Sequence, residues 1–492
     1  MRSRHLYGIM LAALAAVAAG SAGCDNDNTT NPSGGSGGEG GTGGTGGGAQ
    51  GVDMDGNTSC DTAVPYVLGA MDDAAGKLDP VAVDRDYYKV ELKKGKAILL
   101  GANSKPSDDP YGEAYPDSVI TLYGPDGKTQ IAQNDDGAFS NNSELLYLVP
   151  EDGTYCVEVS ECYVLFGVDV CASPDGITNF DYTFGGFEIN PQAALVSVDS
   201  EPNETPAQAT PVNMIAFPEN EVPPAGYQSI GWGSFGSASD KDTFSFAVQN
   251  NFEVPSDGRA LCVFNFYQAG TEGNGSTADA SVLAQVTTKA APNQVVALAN
   301  VQLWDYTFGY PELPTITMPC TKGTEYLFTL SRDAGAAPGT NDFYFFDHYQ
   351  YGSNTKEIEP NDASPQPIQT SPTEDGTGHI ASVNGDITKA GAGGDTDTFT
   401  VNVPAGIGLA TALCSAQRDG SGLRGLQVSL LDDKGAFLKN GSGFEGEDHV
   451  VFVDSALVPS GTTSITVQVT AETQDPAVTG KYYFCTLLLN PG

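Results

Sequence analysis

The residues in this chain that could do chemistry are carboxylates. Glu357, Glu359, Asn361 and Asp362 crowd around Pro360, and Asp199, Glu201, Asn203 and Glu204 repeat the pattern around Pro202. Each segment precedes an Asp-x-Asp doublet. Asp395 and Asp397 lie 36 and 38 residues after Glu359, and Asp240 and Asp242 lie 39 and 41 after Glu201. Acids this far apart must be folded together to form one site. A divalent cation would offset their repulsion, and Ca²⁺ takes about six to eight oxygens. The same residues also read as a capped turn followed by a solvated strand entry. A third doublet, Asp84 and Asp86, lies upstream. Asp86 and Asp242 are 156 residues apart, and Asp242 and Asp397 are 155 apart. Such even spacing points to one domain copied three times.

The elements that must position these acids read as short strands. Of the 492 residues, 60 are Gly and 30 are Pro, with 21 Tyr and 22 Phe. Period-two runs punctuated by turn residues recur, and no long run has helical period. The expected fold is all-β: three antiparallel, jelly-roll-like sandwiches over 57–197, 198–354 and 355–492. In the first unit Asp86–Leu92, Ala97–Leu100, Val119–Tyr123, Gln130–Gln133 and Tyr182–Ile189 read as strands. The hairpin around Gly124-Pro-Asp-Gly127 has its counterpart at Asp432–Gly435. In the middle unit Val301–Trp304 takes the place of the hairpin strand. The aromatic runs Tyr87–Tyr88, Phe343–Phe346 and Tyr482–Phe484 read as inward-facing core residues.

Charge narrows the function further. The formal net charge is −40, from 62 acidic and 22 basic residues. Nucleic acid is excluded as a partner, because phosphate contacts need Lys and Arg. At the N-terminus Arg2 and Arg4 precede the apolar run Tyr7–Ala19 and the small residues before Cys24. That order has the anatomy of a secretory signal over residues 1–23 and resembles a bacterial lipoprotein processing site, with Cys24 as the lipidated residue. Residues 24–56 are a Gly-rich tether that cannot bury a core. Its Gly34–Gly38 stretch matches a nucleophile-elbow pattern through composition alone. The expected location is the cell envelope, with the protein lipid-anchored at the outer membrane or cell surface.

Eight cysteines remain after Cys24, in even numbers per unit, which in an exported chain argues for disulfides. Cys262–Cys320 and Cys414–Cys485 follow by elimination. Cys60, Cys156, Cys162 and Cys171 allow three pairings, of which Cys60–Cys156 with Cys162–Cys171 is favoured. No Cys-x-x-Cys or clustered His points to zinc. The four histidines are His5, His348, His379 and His449. No nucleophile elbow stands at a strand–helix turn beside them, so the chain reads as a non-enzyme.

Taken in order, Glu-Pro-Asn-Asp/Glu, Asp-x-Asp-x-Phe, a Pro-x-Gly turn, a Leu-x-Asp-x-x-Gly hairpin and Gly-Thr-x-Tyr resemble the bacterial pre-peptidase C-terminal domain family. The motifs are fullest in the second and third units. The first lacks the Glu-Pro-Asn segment and offers Asn57, Asp61 and the doublet. The resemblance implies a jelly-roll-like sandwich that accompanies exported enzymes. It also implies Ca²⁺ held by Glu357, Glu359, Asn361, Asp362, Asp395 and Asp397 in the third unit, and by Asp199, Glu201, Asn203, Glu204, Asp240 and Asp242 in the second. The function expected is binding of an extracellular polysaccharide, a protein polymer or an envelope partner. A surface spacer and a cryptic hydrolase using His449 or His379 are the alternatives.

Overall fold

The structure is a computed structural model that describes residues 56–70, 73–104, 117–135, 143–166, 180–217, 223–267, 282–300, 315–332, 342–353, 355–362, 364–373, 376–442 and 450–492. The signal segment, Cys24 and the tether lie outside the described residues. The described residues form two compact units, one up to Ala193 and the other from Ala194 on.

The first unit holds β1 (Val64–Tyr66), β2 (Ala74–Leu78), β3 (Asp86–Leu92), β4 (Ala97–Ser104), β5 (Ser118–Tyr123), β6 (Gln130–Asn134), β7 (Ser143–Leu148), β8 (Gly153–Glu161), the short helix α1 (Cys162–Phe166) and β9 (Phe180–Glu188). Two sheets form, ordered β1-β3-β8-β5-β6 and β2-β9-β4-β7. The alternation in β3 buries Asp86, Tyr88, Val90 and Leu92 and turns Tyr87, Lys89 and Glu91 outward. Tyr88 of one sheet stacks on Phe184 of the other, with ring centroids 4.4 Å apart.

In the second unit come β10 (Val196–Val198), β11 (Thr210–Pro211), β12 (Ile215–Phe217), β13 (Gly226–Ser234), β14 (Lys241–Ala247), β15 (Ala260–Tyr267), β16 (Val282–Thr288), β17 (Ala291–Asn300), β18 (Thr315–Pro319), β19 (Glu325–Arg332) and β20 (Phe343–Gly352). After them follow β21 (Gln366–Ile368), β22 (Ser371–Pro372), β23 (His379–Asp386), β24 (Asp397–Asn402), β25 (Ile407–Ser415), β26 (Leu423–Asp432), β27 (Phe437–Ser442), β28 (Val450–Leu457), β29 (Ser464–Gln474) and β30 (Tyr482–Pro491). They make four sheets: β11-β14-β19-β16-β17, β10-β13-β20-β15-β18 with β12 on β13, β21-β24-β29-β26-β27, and β22-β23-β30-β25-β28. One hydrophobic core lies between the first two of these and another between the last two. We refer to the three sheet pairs as the first, second and third sandwiches.

The expected hairpins of the first and third sandwiches form as β5–β6 and β26–β27. The expected middle strand at Val301–Trp304 lies outside the described residues. Among the described residues, β16 alternates against β19 on one side and forms a hairpin with β17 on the other. The expected boundary between residues 197 and 198 shifts. It would cut β10, whose residues pair with Ile230–Trp232, so the break falls before Ala194.

The second and third sandwiches share one compact unit for a visible reason. Tyr482, on the third sandwich's closing strand, belongs to the second sandwich's core. Its hydroxyl donates to Asp419 O at 2.9 Å. The β17 edge strand bonds across the junction as well: Thr479 N–H donates to Val295 O at 2.7 Å, and Leu298 N–H donates to Gly420 O at 2.9 Å. Edge groups that would otherwise invite foreign strands are thereby satisfied. Disulfides close Cys60–Cys156, Cys262–Cys320 and Cys414–Cys485. The expected Cys162–Cys171 pair has Cys171 outside the described residues.

Because Tyr482 fills space in its neighbour's core, Tyr482→Ala should lower the stability of the second compact unit by about 3–5 kcal/mol, the usual cost of emptying a large aromatic site. Denaturant unfolding of the full chain measures this. A loss below about 1 kcal/mol would mean that the shared core contributes nothing.

Candidate metal centre

Each sandwich brings its doublet to one end by the same route. The short strands β1, β11 and β21 pair in parallel with β3, β14 and β24, which carry the doublets' second aspartates. A parallel edge strand places the residues just before it beside the start of its partner. Those residues are the acidic segments 199–204 and 357–362. In the second sandwich the segment crosses between sheets, because Val198 pairs with Trp232 and Thr210 with Phe244. The third copies this, with Lys356 bridging to Asn384 and Gln366 pairing with Phe399. The Glu201–Pro202 and Glu359–Pro360 peptides are both cis.

In the third sandwich Glu359, Asp362, Asp395 and Asp397 converge, with one oxygen from each within 4.8 Å of all the others. Two oxygens about 2.4 Å from one Ca²⁺ can be no farther apart than about 4.8 Å. Asp397 is fully buried, Asp395 half-buried, and Glu359 and Asp362 are exposed. Neither Asp397 oxygen makes a hydrogen bond of regular geometry, although the Tyr483 hydroxyl lies against the carboxyl. Burial, and then the neighbouring Glu357 carboxylate, push the Asp397 carboxyl well above the usual range. A buried carboxylate so sparsely hydrogen-bonded is costly, and a cation among these four groups would offset that cost.

The remaining expected ligands act as a clamp. Asn361 Oδ1 accepts from Thr398 N–H at 3.0 Å, and Asn361 Nδ2 donates to Glu357 Oε1 at 2.6 Å. Glu357 Oε2 accepts from Asp386 N–H at 2.8 Å. Asn361 N–H donates to Glu359 Oε2 at 2.9 Å, which aims that carboxylate. Asp395 Oδ2 accepts from Thr388 N–H and Oγ1, both at 2.7 Å.

In the second sandwich the acids form two overlapping groups, Asp199–Glu201–Asp242 and Glu201–Glu204–Asp240. Burial, then Glu201, raises the Asp199 carboxyl to about 7. Burial, then Asp199, raises the Asp242 carboxyl to about 8. Asn203 Nδ2 donates to Asp199, and Asn203 Oδ1 makes no hydrogen bond although the residue is buried.

The sequence reading missed a second layer. Beneath each doublet lies a buried tyrosine from the closing strand. Tyr182 donates to Asp86 Oδ2 at 2.7 Å, and Tyr344 donates to Asp242 Oδ2 at 2.6 Å. Tyr483 lies against Asp397. Each tyrosine faces a glycine on the next strand: Gly76, Gly233 and Gly385. A Cβ on any of these glycines would collide with the tyrosine ring or hydroxyl. Sequence places Tyr344 and Tyr483 in the core only as members of their aromatic runs, and Tyr182 only at the start of a strand. Only a Tyr recurring at one place in all three closing strands could have marked these three.

The first sandwich solves the same problem without an acidic segment. Tyr88 and Tyr182 hydroxyls lie 2.8 Å apart, forming a chain that ends on Asp86. Phe244 and Phe399 stand where Tyr88 does. Asn57 is buried, its backbone O accepting from Tyr87 N–H at 3.1 Å, and Asp61 is exposed.

The histidines lie elsewhere. His348 is fully buried, stacked on Phe264 at 4.1 Å, with Nδ1 2.9 Å from Val263 O. Burial pulls its pKa down to about 3. It is a core residue. His379 opens β23, and His5 and His449 lie outside the described residues.

Residues 84–161 match the bacterial pre-peptidase C-terminal domain. The matched span runs from the first doublet to the end of β8, in the unit whose motifs looked least complete. It covers the strand body of the sandwich and excludes the Glu-Pro-Asn segments, which belong to the other two. No curated protein matches the chain. Among solved structures, the ANX1 ectodomain from Arabidopsis thaliana aligns at 8% identity over 54% of this chain and 83% of its own, with a TM-score of 0.18. The triple jelly roll of an archaeal virus aligns at 10% identity over 82% and 80%, with a TM-score of 0.15. The CBM22 tandem domain of Paenibacillus barcinonensis Xyn10C aligns at 10% identity over 54% and 86%, with a TM-score of 0.16. Such scores carry no functional argument.

The raised carboxyls set a pH dependence. Unfolded, these aspartates ionise near pH 4, at about 3.9. Folded and metal-free, Asp199 and Asp242 keep their protons to about 7 and about 8. Between those limits the folded state binds more protons, so metal-free stability falls as pH rises. With chelator present, the melting temperature of the full chain should therefore drop between about pH 5 and pH 8. Calcium should restore it at the upper end and do little at the lower. A chelated protein that gains stability with rising pH would contradict this reading.

Proposed function

We propose that this chain is a non-enzymatic, lipid-anchored envelope protein built from three copies of one sandwich. The second and third copies are stabilised by Ca²⁺, and the array binds an extracellular polysaccharide, a protein polymer or an envelope partner. The observation that carries the cation reading is Asp397: fully buried, grouped with three other carboxylates, and without a hydrogen bond of regular geometry. Hard carboxylate oxygens suit calcium rather than a soft or imidazole-seeking metal. Once bound, the cation would supply charge neutralisation and a fixed coordination frame. The protein's own groups, Asn361, Glu357 and Thr388 among them, then orient the acids toward it.

Triplication is supported by the even spacing of the doublets, by the parallel edge strand beside each, and by the glycine–tyrosine–aspartate set found three times. The family match on the first sandwich supports a module that accompanies other exported functions. The non-enzymatic reading draws on His348, which is locked in an aromatic core. Lipid at Cys24 and a Gly-rich spacer would lift the sandwiches off the membrane, where long-range self-repulsion from the acidic surface keeps them soluble.

Asp397→Asn separates the cation reading from a structural one. The substitution removes the ionisable group with little change of shape. At about pH 8 it should leave metal-free stability unchanged or higher, while abolishing calcium stabilisation of the third sandwich; for one site at a hundredfold excess over Kd that stabilisation is about 2.7 kcal/mol. A metal-free variant less stable than the parent, or one that keeps its calcium response, would count against the site. Pull-down of the full chain on insoluble polysaccharides and envelope fractions tests the binding function. Retention by none of them leaves the spacer reading.

A further inference from the structure

The third acidic site differs from the second in what stands behind it. Around the glycine that faces the buried tyrosine, the second sandwich has Trp232 and Ser234, and the third has Asn384 and Asp386. Both of the latter engage Arg259, a residue of the second sandwich. Arg259 Nε donates to Asn384 Oδ1, and Arg259 Nη1 donates to Asp386 Oδ2 at 2.7 Å. The arginine side chain is only 12% exposed. The connecting segment is stitched to the same residues. Asn384 Nδ2 donates to Ser353 Oγ at 2.9 Å, Ser353 N–H to Arg259 O at 2.8 Å, and Lys356 N–H to Asp257 O.

From Asp386 the network runs directly into the cation cluster. Glu357 N–H donates to Asn384 O at 2.9 Å, and Asp386 N–H donates back to Glu357 Oε2 at 2.8 Å. The other Glu357 oxygen accepts from Asn361, whose backbone N–H aims Glu359. Glu357 therefore holds the junction with one oxygen and the acidic segment with the other. Its counterpart in the second sandwich, Asp199, is itself grouped with the acids there. Beside this route lies a cleft of about 320 Å³, lined by Ser256–Gly258 on one side and Lys356–Glu359 on the other.

We propose that Arg259 is a positioning residue for the third cation site, and that filling the site locks the second sandwich onto the third through Glu357, Asp386 and Arg259. The proposal rests on the calcium reading above. With the cation in place, Glu359 and Asp397 are drawn together, Asn361 is fixed, and Glu357 holds β23 against Arg259. Without it, the carboxylates repel, the 356–362 segment loosens and the cleft opens beside Lys356. Coupling of this kind is reciprocal: whatever the junction does for cation affinity, the cation does for the junction.

The test uses the full chain with Asp242→Asn to silence the second site. Calcium is titrated into chelator-treated protein carrying R259A, D386N or, as a control in the first sandwich, R85A. D386N guards against misfolding, since Asp386 is half-exposed. R259A and D386N should weaken calcium binding at the third site by about five- to tenfold, within the usual range of coupling between sites, and R85A should not. Calcium should also protect the Lys356–Glu357 bond from trypsin in the parent and fail to do so in R259A. Unchanged calcium affinity in both junction variants would overturn the coupling and leave the cation site standing. Absence of calcium binding by the Asp242→Asn parent would remove the cation site, and the proposal with it.

Discussion

A buried carboxylate at the head of a core strand constrains each sandwich of this protein. An ionised group taken out of water must be paired, hydrogen-bonded or neutralised. The three sandwiches meet that demand differently. Asp86 sits at the end of a chain of two tyrosine hydroxyls. Asp242 takes one tyrosine hydroxyl and keeps its other oxygen free of hydrogen bonds. Asp397 makes no hydrogen bond of regular geometry, with the Tyr483 hydroxyl against it and three further carboxylates around it. The hydrogen bonding to the aspartate thins along that series. The tyrosine and its facing glycine stay constant, because a ring can reach across the neighbouring strand only where no Cβ blocks it.

The topology follows from the same demand. A parallel edge strand is the device that sets the acidic segment beside the aspartate, and it recurs at β1, β11 and β21. Away from this end the cores diverge. The second is aromatic, built on Phe244, Phe246, Phe264, Phe328 and Phe346, with His348 against Phe246 and Phe264. The third is mainly aliphatic, built on Val401, Val428, Leu430, Val467 and Leu489. Packing that varies while one end is retained is what a scaffold carrying a common site requires.

The second and third sandwiches form one body in which side chains cross over. Tyr482 completes the aromatic core of the second sandwich, and Arg259 completes the polar end of the third. Each contribution comes from the sandwich that does not need it for its own core. Arg259 is mostly shielded from water, so its pairing with Asp386 feels less solvent screening than a surface pair would. This places the third acidic site at a junction, whereas the acids of the second have Trp232 and Ser234 behind them.

The sequence by itself determined the class of fold and the repeated spacing, and it singled out acidic segments that the fold brings near the doublets. Period-two alternation, turn residues and the Glu-Pro-Asn segments are local signals, and local geometry converts them directly into strands and a shared end. Cys262–Cys320 and Cys414–Cys485 were legible from even counts per unit, because no other partners were within reach. An alternating run looks the same wherever it lies, so only pairing with β19 identifies Val282–Thr288 as an inner strand of its sheet. Tertiary structure alone decided which tyrosine lies under each aspartate, since register across strands depends on contacts more than 90 residues apart, as in Tyr182 with Asp86. It likewise decided that Asn361 clamps Glu357 and Thr398, and that Arg259 reaches Asp386. Those are side-chain directions, and a chain reveals them only once its backbone has closed on itself.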